Sequence, residues 1–248
     1  MAGSPFKEWW VLLHGDPQDL ADVAETFCLG PICRVHKDDD GKYYLKATSL
    51  NSLTDGWAVK AAADQLVARI NGGLKAHYPD FRPIGALSVI PVHENGGRGV
   101  VILAPAAQLT LRGSRPTVEV SGQPAAPVQP SEPETWLGLA ENDDNVAEAL
   151  HLLSREPNWY DLYKAYEVVR HAFGGEGPMV RALSVNQNDE QALHTALNAF
   201  TRTANTIFRH ARGPGNPPAT PMELKDAHEL IRDLIGRYLR HVAGQTRS

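Results

Sequence analysis

The segment Phe200–Met222, FTRTANTIFRHARGPGNPPATPM, gathers the side chains best suited to chemistry. Arg209, His210 and Arg212 follow Asn205 and Arg202 closely, and two glycines and three prolines separate them from the next helix signal. A histidine between two arginines has its cationic form disfavoured by like charge, so a neutral imidazole is available near neutral pH as a general base. Arg209, His210 and Asn205 are therefore the candidate catalytic residues, with Asn205 orienting the imidazole or a phosphate. Arg202 and Arg212 are the candidate nucleic-acid contacts, each able to hold a phosphate through its guanidinium. On a continuous helix at about 100° per residue, Arg202 and Arg209 point away from the Phe200 stripe and the whole group faces outward.

The elements around this segment read as helices. Leu193, Leu197, Phe200, Ala204 and Ile207 step by three and four from near Asn188 to about His210. Trp159, Leu162, Tyr166, Val169 and Phe173 do the same, and Val146–Ser154 is a shorter helix. Thr220-Pro221-Met222-Glu223 reads as a capping box opening the last helix, which carries Leu224, Ala227, Ile231, Leu234 and Tyr238 inward. These helices predict a four-helix bundle over residues 136–248. Residues 121–135 have prolines at 124, 127, 130 and 133, the three-residue period of a polyproline II spacer, and predict a linker.

Residues 1–120 alternate strand and helix. Trp9–His14 is a strand-length apolar run, and Asp16-Pro17 supplies an N-cap and first-turn proline for a helix carrying Leu20, Val23 and Phe27. Ile32–His36 and Tyr43–Thr48 flank a turn at Asp38–Gly41. Thr54 or Asp55 caps a long helix, and Ala86–Val92 and Val100–Leu103 flank a second hairpin turn at Glu94–Gly97, with further strands at Leu109–Leu111 and Val118–Val120. The order βαββαββ predicts an α+β fold with a ferredoxin-like sandwich at the N-terminus. Trp9 and Trp10 must point to opposite faces of their strand, so one enters the core and the other marks a covered surface.

The 248 residues carry 24 basic and 29 acidic side chains, which places the chain in the folded class. Basic and acidic residues number 12 and 13 over 1–130, 4 and 12 over 131–200, and 8 and 4 over 201–248. The opposite balances within the helical half predict electrostatic pairing between its helices or solvated outer faces, with phosphate binding as the sharper alternative. Cys28 and Cys33, four residues apart, match neither a disulfide framework nor a metal pair, and a reducing cytoplasm is the expected compartment. The first residues offer no signal sequence or membrane span. No phosphate loop, calcium loop, nucleophile elbow or helical histidine pair is present, so neither cofactor nor metal is expected.

The runs WYDLYKAYEVVR at 159–170, F-x-x-T-A-N at 200–205, R-H-A at 209–211 and PPATPMELKDAHELI at 217–231 resemble a widespread bacterial protein family of unassigned function, over about residues 145–242. That family usually has more residues between the Asn and the Arg-His pair. More distantly, a helical hairpin with Arg and His near its turn is similar to HEPN domains, helical bundles that often dimerise and include metal-independent ribonucleases with an Arg-x(4–6)-His motif. In this chain seven residues separate Arg202 from His210, and Arg209 adjoins it. The resemblance implies RNA as an alternative partner, with His210 assisting attack by a 2′-hydroxyl and Arg209 holding the phosphorane charge, in a conflict or defence setting.

Three readings follow. The first is a non-enzymatic two-domain protein that mediates oligomerisation, engages a protein partner or senses a ligand. It predicts an exposed apolar patch near Trp9, Trp10 or Trp136, or a partly apolar pocket with convergent polar groups. The second is a HEPN-like RNA-binding or RNA-cleaving module, which needs Arg209 and His210 within about 4–6 Å of one another. The third is a small-molecule site between the two domains.

Overall fold

The computed structural model describes residues 7–94, 97–99, 130–209 and 220–246, with the backbone alone at 207–209. The expected strands at 100–103, 109–111 and 118–120 lie outside the described residues. The chain is α+β, and β1 (Glu8–His14), α1 (Pro17–Thr26), β2 (Cys33–Lys37), β3 (Tyr43–Ala47), α2 (Gly56–His77) and β4 (Gly85–Val92) follow in that order. The four strands form one antiparallel sheet in the order β2-β3-β1-β4.

Local chemistry accounts for most of these boundaries. The Asp16 carboxylate accepts the Gln18 N–H at 3.0 Å and Pro17 opens α1, where its missing N–H leaves no bond unmade. Asp55, rather than Thr54, caps α2 by accepting the Ala58 N–H at 2.9 Å. Gly41 turns the β2–β3 hairpin at φ 79°, a conformation that costs other residues energy, and donates its N–H to Asp38 O. Asn71 acts as a backbone mimic, donating to Ile84 O and accepting the Ile84 N–H.

Register sorts the strand residues into two faces. Val35, Leu45, Val11 and Val89 are direct cross-strand neighbours and all are buried. Leu20 and Val23 of α1, Phe27 at its C-terminal cap, and Val59, Ala63, Leu66 and Ile70 of α2 are buried in the same compact unit. Arg34, Lys46, Trp10 and Ile90 form the adjacent row and therefore lie on the other face.

From residue 130 onward come α3 (Glu132–Leu139), α4 (Asp144–Ser154), α5 (Trp159–Ala172), α6 (Glu176–Leu183), α7 (Gln187–Thr203), a π-helical segment (Ala204–Arg209) and α8 (Leu224–Gln245). Helices α3 and α6 join the four expected. Helix α3 begins inside the proline-rich segment because Ser131 and Glu134 form a capping box, in which the Ser131 N–H donates to Glu134 Oε2 and the Glu134 N–H to Ser131 Oγ. Helix α6 follows Gly174 and Gly175, whose N–H groups donate to His171 O and Arg170 O and close α5 in a Schellman motif. The capping box expected at Thr220 does not form. Helix α8 starts at Leu224 without a side-chain cap, and the Met222 N–H is taken instead by Thr203 Oγ1 at 3.1 Å.

The chain divides into two compact units, Met1–Asn71 with Asp80–Thr135, and Gly72–Pro79 with Trp136–Ser248. The second unit has its own core, in which Trp136, Leu150, Tyr166, Met179, Leu197, Phe200, Ile231 and Tyr238 are buried together. The last turns of α2 belong to it. Gly72 lies so close to the Leu150 carbonyl of α4 that a Cβ has no room, and three residues on Lys75 donates to Ser154 O and Arg155 O, both at 3.0 Å. Those carbonyls are the unpaired C-terminal end of α4, so the buried ammonium satisfies them and meets the negative end of the helix dipole.

Candidate functional site

Of the candidate residues in the helical half, Arg202 is exposed in the last turn of α7 and Asn205 is half-buried in the π-helical segment. Arg209 ends that segment, and His210 and Arg212 lie outside the described residues. The π segment changes one expectation. Its turns are wider than those of about 100° per residue from which an outward projection follows. Thr203 is buried, donates to Ala199 O and, through its bond from Met222, brings the returning chain back beside the end of α7.

The three tryptophans near which an exposed apolar patch is expected are themselves buried. Trp9, Trp10 and Trp136 are only 2%, 8% and 1% exposed. The Trp9 ring enters the core and donates its indole N–H to Leu53 O at 2.9 Å. Trp136 joins the helical core. Trp10 lies on the opposite face of the sheet from Trp9, as alternation requires, and there it is covered by polar groups.

That covering gathers cations, carboxylates and aromatic rings on one face of the sheet. The Lys46 ammonium stands 3.7 Å from the Trp10 ring centre and the Arg98 guanidinium 4.1 Å from it. Both are cation–π distances, and the long side chains shield the ring from water. His36 meets Trp10 edge-on with centroids 5.2 Å apart, and Tyr44 packs at 5.4 Å. Carboxylates hold the cations in place. Glu8 accepts the Trp10 indole N–H at 2.8 Å and lies 3.7 Å from Lys46, while Asp38 pairs with Arg98 at 2.8 Å. Asp40, placed by the hairpin turn, accepts the Tyr44 hydroxyl at 2.8 Å.

The electrostatics of this face follow from its packing. Burial holds the His36 pKa below its usual 6.5, helped by the nearby Lys46, so the ring is neutral at pH 7 and keeps one donor and one acceptor nitrogen. The hydrogen bond from Arg98 holds the Asp38 carboxyl below the usual carboxylate range. Burial, with the bond to Asp40, pushes the Tyr44 hydroxyl up.

Beside this cluster a cleft of about 420 Å³ opens between the sheet face and the loop after α1, lined by Arg34, His36, Lys46 and Glu8 from the strands and by Cys28 and Ile32 from the loop. Its size is that of a small-molecule site. The loop is shaped by Gly30, where a Cβ would collide with Cys33 O and crowd Glu134 Oε1.

None of these residues was singled out from sequence as a site, although a signal was present. Arg34 and His36 alternate along β2 as Tyr44 and Lys46 do along β3, so each pair shares the face opposite the valine and leucine row. No helix among the described residues is long and apolar enough to cross a membrane. Comparison with models of protein families, with curated proteins and with solved structures gives no match.

Proposed function

We propose that the protein is a non-enzymatic two-domain protein whose first unit, a ferredoxin-like sandwich, receives a small ligand on its sheet face, and whose helical bundle engages a protein partner or a second copy. The strand order β2-β3-β1-β4 with two helical crossovers supports the sandwich. The observation that carries the ligand reading is the adjacency of the cleft to the Trp10, His36, Tyr44, Lys46 and Arg98 cluster. Nothing in that cluster pairs a nucleophile with an aligned base, whereas cations, neutral donors and aromatic rings held by carboxylates suit recognition.

The test is a nuclear magnetic resonance titration of the nitrogen-15-labelled full chain with the small-molecule fraction of a bacterial lysate. Displaced amide signals at Glu8, Trp10, Arg34, His36, Tyr44 and Lys46 are expected. Shifts confined to other residues, or none, refute the reading.

A second reading, a HEPN-like metal-independent ribonuclease, is supported by the π-helical segment Ala204–Arg209, since π turns recur at functional sites and this one contains Asn205 and Arg209. Here wild type and His210→Ala are incubated with labelled total RNA in EDTA. Cleavage by wild type alone supports it; no cleavage, or equal cleavage by both, removes it.

A further inference from the structure

Arg34 and Lys46 are directly opposite one another across the β2–β3 ladder, on the same face of the sheet. Like charges in that arrangement repel and lower sheet stability. The two cations are not equally satisfied. Lys46 has Glu8 and the Trp10 ring, while Arg34 is exposed and makes no ion pair among the described residues. Glu8 is itself shared with the Trp10 indole. Both cations line the cleft, together with His36, Thr48 and Asn51. Asn51 uses its oxygen to accept the Trp9 backbone N–H, which leaves its amide NH₂ as a neutral donor.

Resting on the ligand reading above, we infer that the cleft binds the phosphate group of a small molecule, held between the Arg34 guanidinium and the Lys46 ammonium with neutral donors from Asn51 and Thr48. A guanidinium fork matches two phosphate oxygens, an ammonium supplies a point charge to a third, and the amide and hydroxyl complete the shell. A single carboxylate offers two oxygens and one charge, too few for this donor set. The anion also removes the repulsion between Arg34 and Lys46, so part of its binding free energy comes from relieving a conflict built into the unliganded sheet.

The experiment follows the amide signals of Arg34, His36 and Lys46 during titration of the labelled full chain with inorganic phosphate, with acetate as the carboxylate arm. Saturable shifts with phosphate by about 10 mM, and weaker or no shifts with acetate, are expected. Arg34→Gln, an exposed change on an edge strand, weakens phosphate binding about tenfold or more, and Arg34→Lys recovers part of the loss. No saturation, equal binding of acetate, or an unchanged affinity in Arg34→Gln overturns the assignment. If lysate molecules still displace the same signals while phosphate does not, the anion assignment falls and the ligand reading stands.

Discussion

At the scale of single residues, one buried cation closes a helix end in the helical unit. Lys75 is 8% exposed because it caps α4 rather than facing water. Replacing it by Met leaves the Ser154 and Arg155 carbonyls at the end of α4 without this donor, so Lys75→Met lowers stability by about 1–3 kcal/mol, read as a fall in the urea midpoint. His228 shares its surroundings. Its Nε2 is buried without a hydrogen-bond partner among the described residues, and burial, then Lys75 and Arg232, hold its pKa below 6.5. A histidine with a depressed folded pKa is more readily protonated when unfolded, so stability is full above about pH 6.5 and falls as pH drops through that value. His36 acts in the same direction. A lower urea midpoint at about pH 5 than at pH 8 is expected, with the difference reduced in His228→Gln; equal midpoints at both pH values would exclude this coupling.

At the scale of elements, helix and hairpin signals worked where the deciding groups sit within a few residues of one another. The Asp16-Pro17 start of α1, the Asp38–Gly41 turn and the apolar stripe of α5 are of this kind. Helix α6 was hidden by Gly174-Gly175-Glu176-Gly177-Pro178, which reads as loop, although its first two glycines serve the helices on either side. Gly174 at φ 72° is the position where glycine is needed to end α5. Gly174→Ala is expected to destabilise the protein by about 1 kcal/mol, measured by thermal or urea unfolding, while Gly177→Ala, with open space around its Cβ, falls well short of that. The Thr220 capping box failed for the opposite reason. Its four residues are right, but α8 begins only at Leu224, and the chain before it is held by a bond from the Met222 N–H to Thr203, 19 positions away, a partner invisible to a local motif.

At the scale of the whole molecule, α2 supplies residues to both compact units. A chain beginning at Trp136 therefore lacks Lys75 and Leu74, and its α4 has no C-terminal ammonium cap. Such a fragment is expected to unfold at a lower urea concentration than the helical unit within the full protein, monitored by near-ultraviolet circular dichroism. An equal midpoint would mean that residues 72–79 add nothing to that unit. The sequence by itself determined what short-range physics encodes: alternation for the strands, three- and four-residue spacing for the helices, caps and turn residues for their ends, and hence an α+β chain with a strand-rich first half and a helical second half. Tertiary structure alone decided that Trp10, Arg34, Lys46 and Arg98 meet on one sheet face, that the last turns of α2 belong to the helical unit, and that Lys75 is buried. These residues are separated by tens of positions, and their meeting depends on strand register and on which helix end needs a donor, quantities set by the packed chain rather than by any local run of residues.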